Sequence, residues 1–331
     1  MTDSKSGFLT PPRARGDDDQ LRRVGIELEV AGLKPEQMAA AVVEEAGGRV
    51  ERESSFISVV RDTELGDFRV ELDADLLKSR SYQQQLKELG IDIGQGERRE
   101  NIESVLSKVA GLVVPLELVG PPVPWPELER LDRIRKNLHD AGARGTLSSP
   151  LYAFGMHMNI EVASLEPDHL LAMLRAFLIC YDWLLDRSDI DLTRRVSPYI
   201  LPYPEDYLAH VLAADYRPDM NTLIDDFLKF TPTRNRPLDL LPLLAHIDKK
   251  RVMAAPVEKN LIKPRPAWHY RLPNCLIDQA DWSLATPWND WIEIERLADD
   301  PERLERLRAR RLAQSSGLMR WLAERWRKLF S

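Results

Sequence analysis

Cysteine is almost missing from this chain: its 331 residues include only Cys180 and Cys275. Two thiols cannot build a disulfide framework or a thiolate zinc site, so a reducing cytoplasmic setting is expected. No apolar run approaches the roughly 20 residues that a membrane-spanning helix needs. The opening stretch "MTDSKSGFLTPPRARGDDDQ" is polar and carries no apolar signal-peptide core. Neither GxxxxGK[ST] nor GxGxxG occurs, and no internal repeat is visible, which removes the common Gly-rich phosphate loops. The formal net charge of −7 argues against nonspecific nucleic-acid binding. What is present is 44% hydrophobic residues on a length that suits one large globular domain or two small ones.

The stretch "VGIELEV" (24–30) has strand alternation: Val24, Ile26, Leu28 and Val30 share one face, Glu27 and Glu29 the other. A helix follows in "LKPEQMAAAVVEEAGG", with Pro35 in its first turn and Gly47 at its stop. "FISVVRD" and "DFRVELDAD" read as strands joined through "TELG". In the second of these, Arg69, Glu71 and Asp73 oppose Phe68, Val70 and Leu72. "ENIESVLSKVAG" reads as helical, and "LVVPLELVGPP" as a strand with one embedded carboxylate, Glu117. The spacing of Leu128, Leu131, Ile134 and Leu138 predicts a helix from about Pro126 to Ala141. "YAFGMHMNIEV" sets His157, Asn159 and Glu161 against Met156, Met158 and Ile160. An apolar helix covers 167–186, and 188–265 is Pro-rich with short helices. "AWHYRLPN" is the last strand, with His269 and Arg271 on one face; from Trp288 onward the pattern is helical. Strands interleaved with helices, without strict βαβ alternation, define an α+β class with a mostly antiparallel sheet.

Carboxylates gathered on one partly enclosed sheet face repel each other unless cations compensate. The compensating charge is either Arg and Lys or a divalent ion, and hard oxygen ligands favour Mg²⁺ or Mn²⁺. Each feature alone also fits a structural role: a solvated E-x-E face, an ion-paired Glu117, a hydrogen-bonded His157 or His269, a salt-bridging Arg271. Their order along the chain carries more information.

That order resembles the amidoligase family, related to glutamate–cysteine ligases and more distantly to glutamine synthetase. The succession is "VGIELEV", "FRVELDADL", "VVPLELVGPP", a helix ending in "AGA", "FGMHMNIEV" and "RPAWHYRLPN", from about Arg22 to Trp291. The resemblance implies a curved, largely antiparallel sheet forming a funnel with helices outside. It also implies ATP-dependent joining of a carboxylate to an amine, with Mg²⁺ or Mn²⁺ around the phosphates. Carried over by position, Glu27 and Glu29 fall on the paired metal-binding glutamates of the first strand, Glu117 on the glutamate of an E-hydrophobic-hydrophobic-[ST]-P stretch, and His157 on the first histidine of an H-x-H-like strand; Glu117 and His157 are expected metal ligands too. Asp73 falls on an acidic residue before a small residue and Leu. Arg271 falls on an arginine of a late E-x-R strand, expected on phosphate oxygens, with Arg265 beside it as a second cofactor-binding arginine and His157 also near the cofactor. Three positions depart: Asn159 replaces the second histidine, Gly120 a hydroxyl residue, and His269 the glutamate of E-x-R. His269 remains an expected metal ligand.

The sequence thus points to a ligase acting through an acyl phosphate, with Arg271, Glu117 and Asp73 as catalytic candidates. Two other readings stand beside it: an inactive ligase-like binding or scaffold protein, and a metal-dependent hydrolase. The expected partners are small-molecule or peptide acids and amines. Residues 1–20 are expected to be a flexible lead-in, 21–298 the catalytic domain and 299–331 an Arg-rich helical extension.

Overall fold

The structure, a computed structural model, describes residues 7–54, 57–72, 116–146, 155–187 and 200–314. The first half holds β1 (Arg23–Val30), α1 (Pro35–Ala46), β2 (Arg49–Arg52), β3 (Ser58–Arg61), β4 (Phe68–Leu72), β5 (Leu116–Val119), β6 (Val123–Pro124) and α2 (Leu128–Asp140). Then come β7 (Met156–Glu161), α3 (Pro167–Arg187), α4 (Glu205–Val211), α5 (Met220–Phe230), β8 (Leu238–Asp239), α6 (Leu241–Ile247), α7 (Lys249–Ala254), β9 (Ala267–Tyr270) and α8 (Ala285–Ala298). Residues 301–314 form a last described helix, α9. The mixture of helices with antiparallel strands agrees with the α+β expectation. The helix expected at "ENIESVLSKVAG" and the chain beyond 314 lie outside the described residues. No described helix is long and apolar enough to cross a membrane.

The chain divides into two compact units. One comprises Arg23–Asn159 and Arg271–Thr286; the other comprises Met1–Arg22, Ile160–Tyr270 and Pro287–Ser331. In the first, β2, β3, β4, β5 and β1 lie side by side in that order and pair antiparallel, with β6 on β1. Residues Met156–Asn159 of β7 continue this sheet beside β1. Period-two alternation sorts the faces. Ile26, Leu28, Val30, Phe68, Val70, Leu72, Leu116 and Leu118 are all buried. α1 packs on β3 and β4, and α2 packs on α1.

α1 begins where Pro35 presets the helical φ and where Gln37 Oε1 accepts from Lys34 N at 2.9 Å. It ends at Gly47, whose φ of 68° is open to glycine and costly for other residues. α2 starts two residues later than its apolar spacing predicts, because Trp125–Glu127 form a 3₁₀ turn ahead of it. β2 was not legible in the sequence: "RVER" is exposed at three of its four positions and has no apolar alternation.

The second unit is mostly helical around the β8–β9 pair, where Asp239 faces His269 in register. β8 falls inside a segment expected to be helical. Asp239 Oδ1 instead accepts from Leu241 N at 3.0 Å and starts α6 after it. Residues from Gly7 onward are anchored here: Phe8 is buried, and Leu9 N donates to Asn289 Oδ1 at 2.8 Å. Arg22, 2% exposed, donates to both carboxylate oxygens of Glu295 at 2.9 and 2.5 Å. It also reaches the carbonyls of Glu161 and Arg13, while Trp291 Nε1 donates to Glu295 at 2.7 Å. On α9, Arg308 is buried against Leu212 O and Glu305.

His169 lines a small pocket with Arg13, Arg22, Glu295 and Asp299. Burial, then the charges of Arg13 and Arg22, push its pKa down to about 4. The unfolded chain, near 6.5, therefore takes up this proton first as the pH falls. The corresponding stability is complete above pH 6.5 and is lost between 6.5 and 4. Urea denaturation of the wild-type protein and of His169→Asn at pH 7 and pH 4.5 should show the variant escaping about 2 to 3 kcal/mol of acid destabilisation. Parallel losses in both proteins would show that His169 is not the group responsible.

Candidate functional site

The candidate site grows from the register of three strands. Glu29 on β1 lies directly across from Glu117 on β5, and Glu117 directly across from Glu71 on β4. Three carboxylates therefore stand abreast, at the roughly 4.5–5.5 Å spacing of paired strands. Like charges in that position destabilise a sheet. Arg69, two residues before Glu71 and on the same face, answers part of the charge. Its Nε is 3.0 Å from Glu71 Oε2, and its Nη1 is 2.9 Å from Glu53 Oε2.

β7 supplies the next layer. His157 Nδ1 lies 2.9 Å from Glu27 Oε2, and its Nε2 lies 3.4 Å from Glu29 Oε1. Asn159 Nδ2 donates to the other Glu27 oxygen at 2.7 Å. Gly155 N donates to Glu29 Oε2 at 2.5 Å, while Glu29 N donates to Gly155 O at 3.1 Å. The Glu27, Glu29 and His157 side chains are only 15, 13 and 10% exposed. These are enclosed polar groups and not a solvated sheet face.

Glu29, Glu117 and His157 each offer one ligand atom, all within 4.8 Å of one another. Two carboxylates and one imidazole are a donor set that fits a divalent ion. The oxygen majority favours Mg²⁺ or Mn²⁺ over softer ions. Glu71 stands outside this group although it faces Glu117, and it accepts from the Arg69 guanidinium.

The other expected residues sort by unit. Arg271 does not share the strand of His269, because β9 ends at Tyr270. It opens the segment 271–286, which belongs with the carboxylate cluster. That segment is pinned by Met156 N to Pro273 O at 3.0 Å, by the Gly155–Asn274 bridge and by Thr146 N to Cys275 O at 2.8 Å. Gly145 is required there, since a Cβ would meet Cys275 O at 2.0 Å. In the other unit, Arg265 Nη2 sits 3.0 Å from His269 Nδ1. A guanidinium only donates, so this ring nitrogen accepts. Asp73 lies outside the described residues.

Two features were not legible beforehand. Asn159 occupies its position as a hydrogen-bond donor to Glu27, which no spacing rule announces. Gly120 N donates to Ile26 O at 2.9 Å, and a Cβ at Gly120 would lie 3.2 Å from Phe68 and 3.3 Å from that same oxygen. A larger residue fits there only if these neighbours yield by a few tenths of an ångström.

An antiparallel α+β sheet with enclosed carboxylates and an imidazole on its polar face defines a protein with a candidate divalent-metal site. Residues 20–293 match the family described as "Putative amidoligase enzyme", most of the chain, and the protein belongs to that family. No curated protein and no solved structure matches it.

Glu117→Gln keeps the shape of the central carboxylate and removes its charge. In EDTA this variant should be about 0.5 to 1 kcal/mol more stable than the wild-type protein. It should also lose the rise in melting temperature that MnCl₂ gives the wild type. Thermal melts in the two buffers measure both; an undiminished manganese shift would remove Glu117 from the ligand set.

Proposed function

We propose that this protein is an ATP-dependent carboxylate–amine ligase. The observation that carries the reading is the group Glu29, Glu117 and His157 on three neighbouring strands, in a chain whose family is described by amide-bond ligation. A carboxylate substrate attacks the γ-phosphorus of ATP; the bond to ADP breaks, and an acyl phosphate forms. The amine nitrogen then attacks the acyl carbon, phosphate leaves with the acyl–oxygen bond pair, and the amine gives up a proton. The product is an amide.

Glu29, Glu117 and His157 would hold the divalent ion, Mg²⁺ or Mn²⁺. When bound, it neutralises charge on the phosphate oxygens. The role of this chain is then to position and to balance charge. The strand register fixes the two carboxylates, Gly155 N–H fixes one oxygen of Glu29, and Arg69 keeps Glu71 neutralised beside them. Arg271, at the start of the segment pinned against Gly155 and Met156, supplies a guanidinium suited to phosphate oxygens.

The test is phosphate release with ATP, MgCl₂ or MnCl₂, and pooled amino acids, peptides, polyamines and organic acids. Release should require both an acid and an amine, and should fall at least a hundredfold in Arg271→Met. Nucleotide binding without turnover across the whole pool would support a ligase-like binding protein instead. Metal-dependent turnover of substrate without nucleotide would support a hydrolase.

A further inference from the structure

We infer that the outward face of α9, together with the segment that follows it, docks the protein on an anionic lipid surface. No residue of the carboxylate cluster takes part, so this docking face is independent of the ligase reading. Charge is unevenly spread along the chain. Residues 301–331 hold nine arginines and lysines against three glutamates, a net of +6, so the other 300 residues carry −13. A basic block in an otherwise acidic chain is the footprint of a polyanion or a membrane surface.

α9 has two faces. Leu304 and Arg308 are buried, Arg308 donates to Leu212 O, and Arg311 Nη1 lies 2.8 Å from Asp182 Oδ2. These residues hold the helix against its own unit. Arg303, Arg306 and Arg310 are exposed and follow one another at intervals of three and four residues. They form one stripe about 10 Å long. Like charges at that spacing destabilise a helix. Acid is plentiful in this protein, and Arg296, Arg308 and Arg311 nearby in the chain each have a carboxylate partner. The three outward guanidiniums have no ion pair among the described residues. Their charge is presented to solvent, unmatched and in a row.

The kind of anion follows from what comes next in the sequence. "LMRWLAERWRKLF" (318–330) adds Arg320, Arg325, Arg327 and Lys328. Among them Leu318, Leu322, Trp326 and Leu329 recur at intervals of four, four and three, the spacing of one side of a helix. Duplex nucleic acid would engage the cations and leave these apolar residues without a role. A bilayer surface uses both: phosphate headgroups take the arginines, and Leu and Trp enter the boundary beneath them. Stable attachment to a bilayer takes two such signals together. No described helix is long and apolar enough to cross a membrane, so the contact is peripheral.

The experiment uses the full chain in EDTA without nucleotide, so its outcome does not depend on metal or ATP binding. Co-sedimentation and tryptophan emission are read with vesicles of phosphatidylcholine and with vesicles of equal parts phosphatidylcholine and phosphatidylglycerol. The wild-type protein should bind only the anionic vesicles, release as salt rises, and shift its emission to the blue on binding. The variant carrying Arg303→Gln, Arg306→Gln and Arg310→Gln should bind about 10- to 100-fold more weakly. A control carrying Arg49→Gln, Arg52→Gln and Arg133→Gln removes the same charge from exposed positions elsewhere. It should bind within about threefold of wild type. Trp326→Ser should weaken binding and reduce the blue shift. Equal binding of the wild type to neutral and anionic vesicles, or to neither, would overturn the proposal. So would wild-type affinity in the first triple variant or in Trp326→Ser. Equal losses in the two triple variants would reduce the effect to net charge and overturn it too. Tighter binding to duplex DNA or to polyglutamate than to the anionic vesicles would give the stripe to another polyanion and have the same consequence.

Discussion

Like charges held opposite one another across an antiparallel ladder are the constraint on which the rest of this protein turns. Glu71, Glu117 and Glu29 cannot slide apart, because register is fixed by the other face. A one-residue slip of β5 would turn Leu116 and Leu118 outward and Glu117 into the core. Hydrophobic burial thus enforces an unfavourable electrostatic arrangement, and positive charge must be brought to it. Part of that charge is built in, as Arg69 on Glu71. Part is dipolar, as the Gly155 N–H on Glu29 and the Asn159 amide on Glu27. The imidazole of His157 stands between the two β1 glutamates. A divalent ion would complete such a set.

The other unit handles buried charge in a contrasting way. Arg22 and Glu295 form a bidentate pair in which the remaining donors and acceptor capacity go to Glu161 O, Arg13 O and Trp291 Nε1. Each guanidinium nitrogen and both carboxylate oxygens have a partner within the protein, which makes breaking the pair costly. The sheet cluster collects acids faster than side-chain cations. That difference, more than the presence of charge as such, separates a structural ion pair from a candidate reaction centre.

What was legible in the sequence was whatever is local. Alternation of period two placed Glu27, Glu29, Glu117 and His157 on polar faces, and Pro35 with Gly47 bracketed α1. Strand order is not local. Nothing in "FRVEL" says that Glu71 will stand opposite Glu117, because the pairing is decided by sheet topology. β2 escaped notice for a related reason: "RVER" is an exposed strand ordered by the β3 ladder, and its own pattern carries no apolar signal. His269 and Arg271 looked like one face of one strand. The strand ends between them, and the two residues belong to different compact units.

Asn159 shows how a departure from a family pattern can mislead when read as a string. Viewed as a missing histidine, it subtracts a ligand. Viewed in the structure, it is a donor 2.7 Å from Glu27, on the oxygen that the imidazole does not use. A carboxylate with both oxygens engaged by protein donors has lost rotational freedom. The imidazole on its other oxygen also faces Glu29, and the carboxylates gathered around it come from β1 and β5. Those residues are far apart in the chain, so the centre exists only when the long-range strand pairings have formed. Loop closure between distant strands grows only slowly in cost with chain length. A fold that locks its metal-competent group through register therefore tolerates long connections between the strands while holding the ligand atoms fixed.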